Sequence, residues 1–545
     1  MLASVAVLGL LLPCRPRSSE AARKPKLVVV LVADQMRADY VDLYGKAWRG
    51  GLARLFRQGA HFTNASYPYL QTITCAGHAT ISTGTYPHAH GLIQNAWFDR
   101  ATAKTVSCTD DPSQPLVTYG APVAGGDSAH RLLVPTLADE MRAQLSPPPR
   151  VVSFSLKARS AIMLAGHAAT AVAWTDAGAL VTSKAFTSGP VAAIAQQLAR
   201  FPIDWNKVPA WTKSSPASAY SYTDDGLAEY PTKGWTTAFP HPLQGATQLE
   251  TMGNWTRSPL ADDYFAHMAL QTVKTMRLGQ TAATDYLAIG FSVLDLVGHA
   301  FGPKSHEVQD VLLRLDKSLG RFFVGLDRVV GKNNYVVVLT ADHGVAPLPE
   351  QMVKEGKAAG RIAIPRLKAA LEAAVGKEIG GRNNVAAAVF TDVYLAAGIY
   401  EKLLTKPGAI DRVLAVLKAE PGIADAFHAQ QLANPTMAKS EVQKAAALSF
   451  YAGRSGDLVV VPAPYWMAAD AGTTHGSAND YDQHVPVVFM GGGIRAAKFP
   501  RPASPADIAP TLAKLIGVTM KSVQGRALDE VLSPSAARPS PASAR

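Results

Sequence analysis

The sequence predicts an α/β protein, built on an open, mostly parallel β-sheet with helices on both of its faces. Three observations lead to this prediction. Short and continuously apolar runs recur along the chain, helical patterns lie between them, and each run ends in turn-forming or polar residues. Strands that are covered on both faces need continuous rather than alternating hydrophobicity, which is typical of parallel sheets packed between helices.

The predicted strands are spread over the whole chain. In order they are 26–34 (KLVVVLVAD), 151–157 (VVSFSLK), 286–295 (YLAIGFSVLD), 335–344 (YVVVLTADHG), 458–464 (LVVVPAP) and 485–493 (VPVVFMGGG). The pattern of 307–330 (EVQDVLLRLDKSLGRFFVGLDRVV) predicts a helix. Helices that alternate with buried strands indicate the α/β class.

Two long intervals interrupt this rhythm. Residues from about 180 to 280 are rich in Pro, Trp, Ser and Thr, and residues from about 350 to 475 mix helical pieces with short strands. We expect both to be insertions that elaborate one core at 26–532, rather than separate linked domains.

The two ends of the chain differ from this core. Residues 1–25 contain an apolar stretch of about 12 residues, too short to span a bilayer, followed by small and polar residues. This pattern fits a secretory signal peptide, although no Lys or Arg precedes the apolar run. We therefore expect a periplasmic or secreted protein with no transmembrane segment, and a disordered, low-complexity tail at 533–545.

Composition excludes several classes of protein. The 545 residues are 48% hydrophobic and 17% charged, which rules out an intrinsically disordered chain. The net charge of +11 fits either a generally basic surface or attraction of anionic substrates. Nucleic acid is not expected as a partner, because no dense Lys/Arg run is interleaved with aromatic residues. Beyond the leader the cysteines are Cys75 and Cys108, and the sequence leaves open whether they pair.

Polar residues with the chemistry of metal ligands follow several predicted strands. Asp34 ends the first strand, Asp295 follows another, and Asp342 and His343 follow a third. Ligands of open α/β sheets bind at the carboxyl ends of the strands. Because adjacent residues of an extended chain point to opposite sides, Asp342 and His343 can serve two ions from between them.

Two further histidines complete this set. His299 follows Asp295 by four residues, so that both can converge on one ion, and His475 lies in the glycine-rich turn GTTHGS. Each pattern alone is weak, since an exposed Asp or a structural His is the commoner explanation. Together the three carboxylates and three imidazoles form a mixture of oxygen and nitrogen ligands that suits Zn²⁺.

Six motifs together carry a family resemblance. They are VADQMRADY, TITCAGHATISTGTYPHAHGLIQN, SFSLKARSAI, LDLVGHAFGP, TADHG and GTTHGS. This ordered set resembles the alkaline phosphatase superfamily, in its nucleotide pyrophosphatase/phosphodiesterase-like branch. Within that branch it is most similar to the periplasmic bacterial alkaline phosphatases that use a threonine nucleophile. The resemblance runs from about residue 26 to 525.

The resemblance implies two zinc ions and a nucleophile, Thr74 in ITCAGH. One ion would be held by Asp295, His299 and His475, and the other by Asp34, Asp342, His343 and the oxygen of Thr74. A free threonine hydroxyl is a weak nucleophile, which metal coordination can activate. The segment AGHATISTG is predicted to be helical, so that Thr74 would lie at a helix N-terminus that favours phosphate.

Charge indicates which phosphate ester fits the site. Two Zn²⁺ ions, three aspartates and a threonine alkoxide sum to a neutral site, to which Lys157 and Arg159 in SLKARS add +2. That charge matches a phosphate monoester dianion. We expect Lys157 and Arg159 on the same side of an extended strand end, since they are two residues apart. By the resemblance, Asn95 in LIQNAW would donate its amide to a phosphate oxygen.

These inferences predict a monomeric, zinc-dependent alkaline phosphatase that hydrolyses phosphate monoesters through a phosphothreonine, with broad specificity and some diesterase activity. The alternatives are a phosphodiesterase or nucleotide pyrophosphatase, and a non-catalytic zinc- or phosphate-binding protein. His88 and His90 are expected to be structural, and His78 to lie on the helix that Thr74 opens. Cys75 is not expected to be a formylglycine precursor, since TCAGHAT lacks the Pro and Arg of the sulfatase pattern.

Overall fold

The computed structural model describes residues 24–176 and 178–533. Residues 1–23 of the predicted signal peptide and 534–545 of the predicted tail lie outside the described residues. Within the described part of the chain, no helix combines the length and the apolar character needed to cross a bilayer.

The β-strands extend from the beginning of the described chain to its last third. They are β1 (Leu27–Ala33), β2 (Ala60–Ala65), β3 (Ala96–Asp99), β4 (Lys104–Ser107), β5 (Asp110–Thr118), β6 (Gly126–Asp127), β7 (Val151–Ser155), β8 (Ala171–Asp176), β9 (Ala179–Ser183), β10 (Asp285–Phe291), β11 (Tyr335–Thr340), β12 (Gly360–Arg361), β13 (Val385–Val389), β14 (Asp392–Leu395), β15 (Ile423–His428), β16 (Leu458–Pro462), β17 (Trp466–Met467), β18 (Val487–Gly491) and β19 (Ala497–Ala503).

The α-helices alternate with these strands. They are α1 (Tyr40–Tyr44), α2 (Gly51–Gln58), α3 (Thr74–Thr83), α4 (Pro87–His90), α5 (Leu137–Gln144), α6 (Ala158–Ala165), α7 (Ala192–Arg200), α8 (Gln248–Thr256), α9 (Pro259–Thr275), α10 (Val293–Phe301), α11 (His306–Leu326), α12 (Pro349–Lys354), α13 (Ile364–Ile379), α14 (Ile399–Thr405), α15 (Ala409–Lys418), α16 (Ala429–Leu432), α17 (Glu441–Ser449), α18 (Asp480–Gln483) and α19 (Ile508–Ile516).

The central sheet has the strand order β19-β2-β18-β11-β1-β10-β7-β8-β9-β5-β6. Its five middle strands, from β11 to β8, pair in parallel, and antiparallel pairs flank them on both sides. The predicted α/β class and central parallel sheet are therefore confirmed.

Both faces of this sheet are covered, as the continuous hydrophobicity of β1 predicts. Leu27, Val29 and Leu31 belong to one hydrophobic cluster, together with residues of α2, α9 and α11. Val28 and Val30, with the opposite orientation, belong to a second cluster, together with residues of α5 and α19. Alternate residues of a strand point to opposite faces, so β1 contributes to two separate cores.

The two long insertions pack differently. Within the first, Trp211, Trp235 and Trp255 are buried in the same cluster as α11, on one face of the central sheet. The second contains a separate four-stranded antiparallel sheet of order β13-β14-β16-β15. Helices α13 and α15 cover one face of that sheet with a cluster of their own.

Two predicted strands differ from expectation in their pairing. Residues 458–464 give β16, which lies in the second sheet and pairs antiparallel, and β18 pairs antiparallel with β11. Leu458 and Val460 face one hydrophobic cluster while Val459 and Val461 face another. The apolar run of β16 therefore reflects burial on both faces, which does not by itself require parallel neighbours.

Candidate active site

The predicted polar residues lie where adjacent parallel strands end. Asp34 directly follows β1, Asp342 follows β11 by two residues, and Lys157 follows β7 by two residues. Asp295 lies in the first turn of α10, directly after β10. Because β11, β1, β10 and β7 are neighbours in the sheet, these side chains meet at one edge.

Thr74 is the first residue of α3 and is 1% exposed. Its Oγ1 lies 3.3 Å from Nε2 of His343. The backbone N–H groups of the first turn have no partner within the helix, so this end of α3 favours an anion. Gly77 allows α3 to pack closely against the backbone of Asp342, because a Cβ at this position would lie 2.2 Å from the carbonyl oxygen of Asp342.

Asp295, His299 and His475 form one group of possible metal ligands, with one ligand atom of each within 4.8 Å of the others. Asp295 Oδ1 lies 3.2 Å from His299 Nε2 and 3.7 Å from His475 Nε2. His299 donates its Nδ1–H to the carbonyl of Thr473 at 2.7 Å, and His475 donates to that of Thr72 at 2.8 Å. These bonds leave both Nε2 lone pairs free to bind a metal.

A second group consists of Asp34, His78 and Asp342, again within 4.8 Å of one another. His78 donates its Nδ1–H to the carbonyl of Thr74 at 2.9 Å, and its Nε2 lies 3.6 Å from Asp34 Oδ1. His343, which the resemblance assigns to this ion, has its Nε2 3.1 Å from Asp342 Oδ2. The structure thus brings the four residues named for this ion together and adds His78.

Buried polar atoms provide a test of whether these residues fit a metal. Among the described residues, Asp34 Oδ1, Asp342 Oδ2 and His78 Nε2 are buried without a hydrogen-bond partner. A cation would satisfy all three, since unpaired buried polar atoms are costly. The two ligand groups, which combine carboxylate oxygens with imidazole nitrogens, fit borderline metals such as Zn²⁺.

The pKa values of three buried side chains of the site, those of Asp34, His343 and Lys157, are raised above their ordinary values. Burial, reinforced by the neighbouring Asp342, raises the pKa of Asp34 to about 6. Burial lowers the pKa of His343, but the charge of Asp342 outweighs it and raises the value to about 9. Burial also opposes the charge of Lys157, yet Asp295 and Asp34 raise its pKa above the ordinary value.

Lys157 lies between the two ligand groups. Its Nζ donates to Asp34 Oδ2 at 2.6 Å and to Asp295 Oδ2 at 2.5 Å. Lys157 is extended, as predicted, but the predicted extended conformation at Arg159 is wrong, because α6 begins at Ala158. The Ser155 hydroxyl accepts the Lys157 backbone N–H and turns the chain into the helix. Arg159 is therefore in the first turn of α6, with its Nε buried and without a partner in the described structure.

Asn95 is held between two cysteines. Its Oδ1 accepts the backbone N–H of Cys75, and its carbonyl accepts the backbone N–H of Cys108, both at 2.9 Å. Cys75 and Cys108 form a disulfide, which answers the question that the sequence left open. With Oδ1 engaged, the amide N–H₂ is the donor end of Asn95 and is available to a phosphate oxygen.

The chain matches a known protein family over most of its length. A family model described as "type I phosphodiesterase / nucleotide pyrophosphatase" matches residues 28–485, which include the two ligand groups, Thr74, Asn95, Lys157 and Arg159. The chain belongs to this family. The resemblance that the six motifs indicated is thereby confirmed.

Several related proteins match over nearly the whole chain. Alkaline phosphatase PafA of Elizabethkingia meningoseptica is 32% identical over 538 residues, 95% of this chain and 96% of that protein. Alkaline phosphatase PhoV of Synechococcus elongatus is 32% identical over 519 residues, 92% of each protein. The crystal structure of wild-type PafA superposes with a TM-score of 0.83 at 30% identity, covering 94% of this chain and 100% of that one.

In this family member, Gln35 supports both ligand groups, although the sequence analysis did not single it out. Its backbone N–H donates to Asp342 Oδ1 at 3.0 Å and its Nε2 donates to Asp295 Oδ1 at 2.8 Å. Its φ of 68° lies in the left-handed region, which a residue other than glycine rarely adopts. The signal available in the sequence was its place directly after Asp34.

Asp262 also supports the site from a distance in sequence. Its carboxylate accepts the backbone N–H of Ser292 at 3.1 Å and of Val293 at 3.3 Å. It thereby caps the start of α10, the helix that carries Asp295 and His299. No local pattern in the sequence connects Asp262 with that helix.

The remaining histidines of the motif TITCAGHATISTGTYPHAHGLIQN, His88 and His90, make contacts away from the metal ligands. His90 Nε2 lies 3.2 Å from the Thr80 hydroxyl, and its Nδ1 accepts the Leu92 backbone N–H at 3.1 Å. His88 Nε2 lies 2.9 Å from Nε2 of Gln524. Neither histidine belongs to the metal-ligand groups found among the described residues.

Proposed function

We propose that this chain is an exported, zinc-dependent alkaline phosphatase that hydrolyses phosphate monoesters through a phosphothreonine at Thr74. The observation that carries the proposal is the position of the Thr74 hydroxyl, at a helix N-terminus and 3.3 Å from the imidazole of His343. The names of the relatives PafA and PhoV support the activity.

In the first step, the Thr74 hydroxyl loses its proton to solvent and Oγ1 forms a bond to phosphorus, while the bond to the ester oxygen breaks and that oxygen takes up a proton and leaves as the alcohol. Water then cleaves the phosphothreonine, which releases inorganic phosphate and regenerates the hydroxyl. When bound, two zinc ions supply Lewis-acid stabilisation of negative charge on the attacking and departing oxygens. Asp295, His299 and His475 would hold one ion, and Asp34, Asp342, His343 and the Thr74 oxygen the other.

The chain itself supplies further groups that bind the phosphate. The Cys75 N–H is bound to Asn95 Oδ1, and the other backbone N–H groups at the start of α3 orient the phosphate towards Thr74. Asn95 donates its amide N–H₂, and Arg159 and Lys157 supply positive charge. A monoester carries one more negative charge than a diester, so these two cations favour the monoester.

The first experiment replaces Thr74 in the zinc-loaded enzyme and follows hydrolysis of p-nitrophenyl phosphate. Thr74→Ala removes the nucleophile and is expected to abolish turnover, with the zinc content and the circular dichroism spectrum retained. Thr74→Ser is the matched control, because it keeps a hydroxyl and is expected to retain measurable turnover. Unchanged turnover in Thr74→Ala would contradict the covalent mechanism.

A second candidate function is that of a phosphodiesterase, which the description of the family model favours. The two functions differ in the ratio of kcat/KM for p-nitrophenyl phosphate to that for methyl p-nitrophenyl phosphate. We expect the ratio to exceed one and to fall in Lys157→Met and Arg159→Ala. A ratio below one in the unsubstituted enzyme would favour the diesterase, and equal losses on both esters would contradict the charge argument.

We also propose that the protein is exported and monomeric. The apolar segment within 1–25 supports export, and the Cys75–Cys108 disulfide is compatible with an oxidising compartment. Expression of the chain with residues 1–25 included, followed by N-terminal sequencing of the exported enzyme, tests the first proposal. Light scattering of the purified enzyme tests the second, and a mass of twice the chain would contradict it.

A further inference from the structure

A groove opens beside the metal-ligand group of Asp295, His299 and His475. The side chain of His299 is 35% exposed, whereas those of Asp295 and His475 are 4% and 5% exposed. The side chains of Asp34 and Asp342 in the other group are fully buried. The groove, called here the His299 groove, therefore provides access to the site from solvent.

Residues of both insertions line the His299 groove. Tyr230, Lys233 and Arg257 come from the first insertion, and Gly472 and Thr473 come from the second. Tyr230 is 66% exposed, so its ring is available to a ligand. The groove is thus formed between α10, which carries His299, and segments of both insertions.

The charged side chains that line the His299 groove are all positive. Lys233 and Arg257 are both exposed, and none of the described residues that line the groove is an Asp or Glu. Asp470 is exposed between two lining alanines but is not itself part of the lining. Arg257 donates one N–H to the carbonyl of Gly253 at 2.9 Å, which leaves its other N–H groups for a ligand.

The position of the groove relates it to the departing group of the reaction. An in-line displacement places the attacking and departing oxygens on opposite sides of phosphorus. Thr74 attacks from the side of Asp342 and His343, so the departing oxygen leaves towards Asp295 and His299. This step rests on the proposed function, and it assigns the His299 groove to the leaving group.

We propose that the His299 groove binds leaving groups that carry an anionic group of their own, with Lys233 and Arg257 as its ligands. The preferred substrates are then phosphate monoesters with a second negative charge, such as a carboxylate or another phosphate, on the departing part. Neutral leaving groups of the same size are hydrolysed less efficiently, because they leave both cations unpaired.

The test uses two esters that differ in one charge, 3-carboxyphenyl phosphate and 3-carbamoylphenyl phosphate, at pH 8 with the zinc-loaded enzyme. The measured quantity is the ratio of their kcat/KM values. We expect the ratio to favour the carboxylate, and to fall about two- to fivefold in Lys233→Gln and again in Arg257→Gln, the range that exposed ion pairs give. Added NaCl is expected to reduce the ratio in the unsubstituted enzyme, since salt screens exposed charges.

The control variant is Lys332→Gln. Lys332 is an exposed lysine three residues before β11, at the end of that strand opposite the site, and its loss is expected to leave the ratio unchanged. A readout independent of turnover is calorimetric titration of both esters into Thr74→Ala, in which the carboxylate is expected to bind more tightly until Lys233 and Arg257 are replaced.

The outcomes separate the two proposals. Hydrolysis of neither ester by the unsubstituted enzyme would overturn the proposed function. Hydrolysis of both esters with a ratio that Lys233→Gln and Arg257→Gln do not change would overturn the assignment of the groove and leave the phosphatase proposal in place. A fall of the ratio in Lys332→Gln equal to that in Lys233→Gln would also overturn the assignment, because it would reflect net charge alone.

Discussion

The disulfide between Cys75 and Cys108 is predicted to act on catalysis through Asn95. Cys75 directly follows Thr74, and the backbone N–H groups of both cysteines donate to Asn95 at 2.9 Å. The covalent link therefore fixes the distance between the nucleophile and the amide that we assign to the phosphate. The perturbation is the double substitution Cys75→Ala with Cys108→Ala, which removes the link and keeps both backbone donors.

The contacts of Asn95 and of the disulfide allow the losses in kcat/KM and in the free energy of unfolding to be estimated. A hydrogen bond to a charged phosphate is worth about 1.5 to 3 kcal/mol, so Asn95→Ala should lower kcat/KM roughly 10- to 150-fold. The cysteine variant retains Asn95 in a less defined position, and we expect a loss of roughly three- to tenfold. Its free energy of unfolding should fall by about 3 to 4 kcal/mol, because the disulfide spans a sequence separation of 33 residues.

The assay is a double-mutant cycle on kcat/KM for p-nitrophenyl phosphate. If the disulfide acts through Asn95, removing it in the Asn95→Ala background causes little further loss. Leu326→Ala serves as the stability control, because Leu326 is fully buried on α11 and its truncation costs about 3 to 5 kcal/mol far from the site. The reasoning is refuted if the losses from the cysteines and from Asn95 multiply fully, or if Leu326→Ala lowers kcat/KM as much as the cysteine variant.

Three other predictions follow from the site and its supports. Chelation should abolish turnover and lower Tm, and added Zn²⁺ should restore both, with two zinc ions per chain by elemental analysis; activity that survives complete removal of metal would contradict the proposal. Gln35→Ala should weaken zinc affinity about 10- to 100-fold in a competition assay with a chelating dye, because Asp295 loses the side-chain amide that orients it, and unchanged affinity would contradict that role. Burial raises the pKa of Asp392 to about 6, so Asp392 becomes destabilising as pH rises from about 4 to 6, and the Tm of Asp392→Asn relative to the unsubstituted enzyme should increase over that window. A Tm difference that is constant with pH would show that Asp392 does not titrate there.

Much of the fold could be predicted because the apolar composition of the central strands indicates that both of their faces are buried. β1, β7, β10 and β11 are mostly apolar and buried on both faces, and their order in the chain leaves room for covering helices. β16 has the same composition for a different reason, since it lies between two clusters of the second insertion. The hydrophobicity of a strand indicates whether one or both of its faces are buried. It does not indicate which strand it pairs with in the sheet.

The candidate site could be predicted to the extent that its residues follow strand ends. Asp34, Asp295 and Asp342 meet because their strands are adjacent and parallel. The supports could not be found in this way, since Asp262 reaches α10 from another helix and the Gln35 side chain crosses to a neighbouring strand's helix. Arg159 was expected on the same extended segment as Lys157, because two-residue spacing cannot reveal that a helix begins at Ala158 between them.

The second insertion makes hydrogen bonds to segments that carry Thr74 and Asn95, although it is far from both in the sequence. Asp392, on the β14 strand of that insertion, accepts N–H groups from the side chains of Gln71 and Gln94. Gln71 lies three residues before Thr74, and Gln94 directly precedes Asn95. The nucleophile and its neighbouring amide are therefore held together from two directions, by a disulfide on one side and by a buried carboxylate on the other. A site that must hold Thr74 and Asn95 in fixed positions around a phosphate gains from such supports, because positions set before substrate binds need no reorganisation during the reaction.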